Sequence, residues 1–135
     1  MNDEELLARA RAACTRAYAP YSGFEVGAAV LADGELFDGA NVECASLGLT
    51  VCAERNAVMR AVLEGSREIQ ALAVVTPNSP PAPPCGLCLQ SLMEFTRDPN
   101  GVSVLLGNHE GEVRRHTLAE LLPFAFRPTD LARRH

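Results

Sequence analysis

The chain has 135 residues, a length that one domain fills, so we expect residues 1–135 to fold as a single domain. Its formal net charge is −5 and all 12 basic residues are arginines without a long cluster, which argues against a nucleic-acid partner. No apolar run approaches the roughly 18 residues of a membrane span, and the acidic start is unlike a secretory signal. We therefore expect a cytoplasmic protein that does not enter membranes.

The first half of the chain predicts a helix, the two strands of a hairpin, a loop and a second helix, at residues 3–17, 24–32, 35–40, 41–51 and 52–63. Asn2 or Asp3 is the expected N-cap of the first helix. The hairpin is indicated by the Asp33-Gly34 pair, which separates two apolar runs.

The second half predicts a buried strand, a loop, a helix, two strands and a short last helix, at residues 71–76, 77–84, 86–95, 102–106, 112–116 and from 117 onward. The loop holds five of the nine prolines, which excludes regular structure there. Thr117 and Glu120 have the spacing of a helix capping box. The order α-β-β-α-β-α-β-β-α predicts a layered α/β domain with a mixed five-stranded sheet.

Two short segments carry the residues of a metal site. They are Cys-Ala-Glu-Arg at residues 52–55 and Pro-Cys-Gly-Leu-Cys at residues 84–88, and each stands where a helix is expected to begin. Zinc binds thiolate, and the unpaired backbone N–H groups at a helix start favour negative charge. We therefore expect Cys52, Cys85 and Cys88 to hold one Zn²⁺.

Three protein ligands favour a catalytic zinc, because structural zinc is usually closed by four. The metal lowers the pKa of a bound water towards about 7. Glu54 follows Cys52 by two residues, so its carboxylate could take that water's proton without being a ligand. Arg55 would offset the charge of the thiolates. A Cys or His, then x-Glu, then Pro-Cys-x-x-Cys is the signature of zinc-dependent deaminases.

Beyond this signature, the chain resembles the small homotetrameric cytidine deaminases over nearly its whole length. The resemblance rests on residues 18–29, 41–43, 52–55, 84–90 and 121–131. It implies a three-layer α/β/α sandwich, one Zn²⁺ per chain and a homotetramer. It also implies hydrolytic deamination of cytidine and deoxycytidine in pyrimidine salvage. A zinc-activated water would attack C4 of the base, Glu54 would protonate N3, and ammonia would leave.

The resemblance implies further roles in substrate binding. Phe24 would stack on the pyrimidine, while Asn41 and Glu43 would hydrogen-bond the ribose 3′-hydroxyl. The backbone N–H of Ala53 would meet the carbonyl of the base. Phe126 would reach towards a neighbouring subunit's site.

Three positions depart from the usual pattern of that family. Leu89 stands where an arginine is usual, so Arg55 would balance the thiolates alone. Cys44 stands where asparagine or a similar residue is common, and Leu47 stands where an aromatic residue is usual. The last two positions bear on sugar recognition and on the subunit contact.

Several alternatives stay open from the residues alone. A deaminase of a modified cytosine nucleoside, of the blasticidin type, would share the metal site. The acidic charge and the three cysteine ligands disfavour a polynucleotide-editing deaminase. A structural-zinc binding or scaffold domain would use Cys44 or Cys14 as a fourth ligand. The Cys85 and Cys88 pair could also be a redox dithiol.

Overall fold

A computed structural model describes residues 2–131 of the chain. The strands are β1 Gly27–Ala32, β2 Glu35–Ala40, β3 Ile69–Val75, β4 Ser103–Gly107 and β5 Val113–Thr117. The helices are α1 Asp3–Ala13, α2 Ala53–Leu63, α3 Gly86–Glu94, α4 Leu118–Leu121 and α5 Pro128–Leu131. The strands form one sheet in the order β2-β1-β3-β4-β5, in which β3 and β4 are parallel and the other neighbours antiparallel. The predicted mixed five-stranded sheet is confirmed.

Alternate residues of the inner strands face two different apolar layers, which is why these strands are nearly continuous apolar runs. On β1, Ala28 and Val30 pack in the layer that holds α2 and α3, whereas Ala29 packs in the layer that holds α1. On β3, Val74 and Val75 divide between the two layers in the same way. The expected α/β/α arrangement is therefore confirmed.

Several local predictions are also confirmed. Asp33 and Gly34 have φ values of 48° and 83°, the left-handed geometry that the tightest hairpin turns require at both positions. Asn2 caps α1 by accepting from the backbone N–H of Glu5 at 2.9 Å. The capping box of Thr117 and Glu120 opens α4.

Other boundaries differ from the sequence prediction. α1 ends at Ala13 and continues only as a 3₁₀ turn, Cys14–Arg16. β1 begins at Gly27 rather than at Phe24, because the Asn41 side chain occupies the backbone groups that a strand partner would take. Its Nδ2 donates to the Phe24 carbonyl at 2.8 Å, and its Oδ1 accepts from the Val26 N–H at 2.9 Å. None of the helices within residues 2–131 is long and apolar enough to cross a membrane.

Asp38 fastens the edge strand β2 to the segments on both sides of it. Its carboxylate forms ion pairs with Arg9 of α1 at 3.2 Å, with Arg60 of α2 at 2.9 Å and with Arg16 at 3.4 Å. The Asp38 side chain is only 11% exposed, whereas the arginines are 44–65% exposed. Solvent therefore partly screens each ion pair. The three pairs contribute to the stability of the fold because they converge on one carboxylate.

Replacing Asp38 by asparagine should lower the free energy of unfolding by about 1–2 kcal/mol, because three weak ion pairs are lost together. Urea unfolding at low salt would measure the loss, and 1 M NaCl should reduce it, since salt screens such pairs. Glu35→Gln removes the same charge from an exposed position of β2 and is the control. A loss equal to that of the control would contradict this role of Asp38.

Candidate metal centre

The three predicted cysteine ligands lie together in the structure. The Sγ atoms of Cys52, Cys85 and Cys88 all lie within 4.8 Å of one another. The Sγ atoms of Cys85 and Cys88 are 3.5 Å apart. Tetrahedral zinc with Zn–S bonds of 2.3 Å needs about 3.8 Å between sulfurs, so this group could close on the ion with small side-chain shifts.

The helices explain why the thiols converge. Cys52 is the N-cap residue of α2 and Cys85 is the N-cap residue of α3, and neither side chain makes a capping hydrogen bond. Both sulfurs are thus free to face a common point near the unpaired N–H groups of two helix starts. Those N–H groups favour the negative charge of thiolates.

The thiols share their protons unequally. The hydrogen bond with Cys88 lowers the pKa of Cys52 to about 5, against the effect of burial and with further help from Arg55. The same hydrogen bond raises the pKa of Cys88, which keeps the shared proton. Cys52 is therefore a thiolate at neutral pH, and a metal ion would displace the proton that Cys88 keeps.

Arg55 supplies positive charge at the thiols. Its Nη2 donates to the Thr50 carbonyl at 3.1 Å. The positive charge of its guanidinium interacts with the sulfurs of both Cys52 and Cys88. Its Nε is buried and has no hydrogen-bond partner among residues 2–131. A buried donor beside sulfurs fits a site in which those sulfurs are metal-bound thiolates, because thiolates accept hydrogen bonds. Leu89 is buried in the apolar core and brings no charge to the thiols.

Glu54 lies in the first turn of α2, beside the metal-ligand group. Its side chain is buried, with 5% exposed. Burial and, to a smaller extent, the nearby Cys52 charge raise the pKa of Glu54 to about 7. A carboxyl group with such a pKa can both accept and donate a proton near neutral pH.

A cavity of about 190 Å³ adjoins Cys52 and Glu54. Phe24, Asn41 and Ala53 line it, as the resemblance implies for substrate-binding residues. Five other residues that were not predicted as site residues also line it: Val26, Thr50, Thr76, Ala82 and Pro83. The cavity is smaller than the roughly 300 Å³ at which ordinary ligand pockets begin.

Asn41 and Glu43 also hold the segment that presents Phe24. Asn41 is buried, and its side-chain amide forms hydrogen bonds with the backbone of Phe24 and Val26, as described above. The Glu43 carboxylate accepts from the backbone N–H groups of Tyr21 at 3.0 Å and Ser22 at 3.1 Å, and from the Ser22 hydroxyl. The Ser22 hydroxyl in particular holds the pKa of Glu43 below its usual value. Glu43 is not among the residues that line the cavity.

Phe126 does not lie at the cavity of its own chain. Its side chain is 56% exposed, and it adjoins Met59, Leu87 and Gln90 on a different surface. The Phe126 carbonyl accepts from Gln90 Nε2 at 2.6 Å, which ties it to α3.

The remaining cysteines of the chain stand apart from the metal-ligand group. Cys44 Sγ lies 3.8 Å from the Leu49 carbonyl, and Cys14 is buried in the layer under α1. Neither belongs to the group that could hold a metal, so residues 2–131 do not form the four-thiolate site that a structural zinc would need. Three sulfurs with a buried carboxyl group beside them are typical of catalytic zinc.

Comparison with known proteins agrees with this geometry. The family model of the cytidine and deoxycytidylate deaminase zinc-binding region matches residues 1–103. A cytidine deaminase from Halalkalibacterium halodurans is 46% identical over 132 residues, which are 97% of this chain and 98% of that protein. One from Sporosarcina psychrophila is 44% identical over 98% of this chain and 96% of its own length.

Solved structures agree as well. The crystal structure of cytidine deaminase from Burkholderia pseudomallei superposes with a TM-score of 0.87, at 45% identity, over 93% of this chain and 100% of that chain. The chain therefore belongs to the cytidine and deoxycytidylate deaminase family. Zinc is the metal of that family's conserved region, and here the three thiols are the group that could hold it.

We expect serine at position 52, 85 or 88 to reduce bound zinc from about one ion per chain to nearly none, because a hydroxyl is a poor zinc ligand. Atomic absorption on purified protein would measure this. Cys44→Ser and Cys14→Ser are matched controls that should keep the metal. Loss of zinc from Cys44→Ser would contradict the three-thiolate site.

Proposed function

We propose that the protein hydrolytically deaminates cytidine and deoxycytidine to uridine and deoxyuridine, with release of ammonia, in pyrimidine salvage. The observation that carries this proposal is the buried Glu54 carboxyl, which lies with Cys52 of the three-thiol group at a cavity. The pKa of this carboxyl is about 7. The similarity to cytidine deaminases over nearly the whole chain supports the choice of substrate.

When bound, zinc supplies a Lewis acid that lowers the pKa of a water at the site. Glu54 accepts the proton of the attacking water and delivers it to N3 of the base. It then takes the remaining proton of the hydroxyl that has been added at C4 and passes it to the amino group. The C4–N bond breaks as the C4 carbonyl forms, and ammonia leaves. Both transfers are feasible for one carboxyl group because its pKa lies close to the working pH.

The other cavity residues orient the nucleoside. Phe24 is 38% exposed at the cavity and stacks on the pyrimidine. Ala53 is the first residue of α2, and its N–H donates to the carbonyl of the base, since the first N–H groups of a helix have no partner within the helix. Asn41 has a second amide hydrogen beyond its bond to Phe24, and this hydrogen binds the ribose 3′-hydroxyl. The Glu43 carboxylate completes this contact where the ribose extends beyond the cavity of one chain, which Glu43 does not line.

The protein assembles as a homotetramer in which Phe126 completes the site of a neighbouring subunit. The small cavity of one chain supports this, because it leaves part of a nucleoside uncovered. Large apolar side chains with more than half of their surface exposed also support it: Leu47, Leu49, Leu63, Leu87, Phe124 and Phe126.

The cytoplasm is the proposed location, and a small nucleoside is the proposed partner rather than nucleic acid or a membrane. The cysteines are free thiols, as in a reducing compartment. The net charge of −5 disfavours binding to a polyanion.

Glu54→Gln should reduce kcat for cytidine by about 10²–10⁴-fold, because the amide cannot transfer protons. Loss of cytidine absorbance measures the rate, while zinc content and circular dichroism should stay as in the unchanged protein. Glu64→Gln, at the exposed end of the same helix, is the matched control and should keep full activity. Wild-type turnover in Glu54→Gln would refute the role of Glu54.

Shared sites predict complementation between two inactive variants. Phe126→Ala and Glu54→Gln should each be poorly active alone, and mixed tetramers should recover activity. In them, a site with an intact Glu54 receives Phe126 from the other variant. Assembly of Glu54→Gln with a double variant that carries both changes is the control and should recover nothing. Mixed tetramers that form normally but stay inactive would show that the site does not take Phe126 from a neighbour.

A further inference from the structure

The proline-rich segment of residues 77–84 joins β3 to the metal-ligand segment and supplies Ala82 and Pro83 to the site cavity. Five of its eight residues are prolines, which have no backbone N–H. Only residues 78, 79 and 82 can donate from the backbone, so no ladder of hydrogen bonds can fix this segment. Its position must be set by its carbonyls, its side chains and the few N–H groups that it has.

Three hydrogen bonds to residues outside the segment, here called tethers, set its position. The Asn78 carbonyl accepts from Asn108 Nδ2 at 3.2 Å. The Ser79 hydroxyl bonds to the Glu112 carboxylate. At the site itself, the Ala82 N–H donates to the Thr76 hydroxyl at 3.1 Å.

Asn108 is the centre of the first two tethers. It directly follows β4, is 1% exposed, and uses both ends of its amide. Its Oδ1 accepts from the backbone N–H groups of Glu110 at 3.0 Å and Glu112 at 3.1 Å. Besides the Asn78 carbonyl, its Nδ2 donates to Glu112 Oε1 at 2.7 Å. The Asn108 side chain thus shapes the turn of residues 108–112 and aims Glu112 at Ser79.

The Glu112 carboxylate is suited to hold a hydroxyl. Its hydrogen bonds, first with Ser79 and then with Asn108, keep the pKa of Glu112 below its usual value. The group is therefore ionised at neutral pH and can only accept, so the Ser79 hydroxyl must donate to it. Hydrogen bonds to charged groups are stronger than neutral ones.

We propose that Ser79, Asn108 and Glu112 are positioning residues, which hold the proline-rich segment so that Ala82 and Pro83 form one wall of the nucleoside site. This inference rests on the proposed function for the identity of the substrate. None of the three lines the cavity, so their effect reaches the nucleoside through the segment. Because the metal ligands are anchored in the helices α2 and α3, loosening the segment should weaken substrate binding more than the chemical step.

Ser79→Ala would raise KM for cytidine about fivefold, which corresponds to about 1 kcal/mol for one lost hydrogen bond. Glu112→Ala should raise KM at least as much, because it also removes the bond from Asn108. We expect kcat and zinc content to stay within about twofold of the unchanged protein. The double variant should be no worse than Glu112→Ala alone, because that change already removes the bond to Ser79. Glu110→Ala is the matched control, since it removes a carboxylate from the same exposed turn and its side chain makes no hydrogen bond within residues 2–131.

Hydrogen exchange of the peptide that covers residues 77–84 gives a readout that needs no substrate. Exchange should rise in Ser79→Ala and Glu112→Ala and stay unchanged in Glu110→Ala. An unchanged KM in the two variants, or an equal rise in the control, would overturn the proposal, whatever the exchange shows. If the unchanged protein did not deaminate cytidine at all, the proposed function would fail, and exchange would still decide whether the segment is held by these residues.

Discussion

The structure depends on one topological constraint, which is that α2 and α3 begin at the same end of β3. α2 precedes β3 in the chain and runs back along it, so it starts near the end of β3. α3 is the crossover helix between the parallel strands β3 and β4, so it starts where β3 ends. Cysteines at the N-cap positions of both helices therefore face each other at the carboxyl end of a central strand, where α/β sheets commonly bind their ligands.

The electrostatics of the site follow from that placement. Three thiolates on a divalent ion leave one negative charge, which Arg55 and the N–H groups of two helix starts can balance. The same crowding buries Glu54 on the first turn of α2 and raises its pKa into the range that proton transfer at neutral pH requires. The starts of α2 and α3 thus bring the three thiols and the buried Glu54 carboxyl to one place.

Features encoded locally were predictable from the sequence. The turn at Asp33-Gly34 and the capping box at Thr117 depend on residues close in the chain, and the helix start at each group of predicted thiols is also marked by its neighbouring residues. The true start of β1 was not predictable, because Asn41, far along the chain, takes the backbone bonds of Phe24 and Val26. The cavity wall at residues 50, 76 and 82–83 was not predictable for a similar reason. Small or polar loop residues form no sequence pattern that indicates a binding site, and only the fold brings them together. The short helix α5 was also absent from the prediction, although a proline at its first position is a recognised helix start.

The proposed chemistry requires a zinc ion with three sulfur ligands and one open position. X-ray absorption at the zinc edge of the metal-loaded protein tests this most directly, because sulfur and oxygen ligands differ in distance and in scattering. We predict three sulfurs at about 2.3 Å and one lighter atom at about 2.0 Å, the latter from water. A fit that requires four sulfurs would contradict the account, because the position where water must be activated would then be closed.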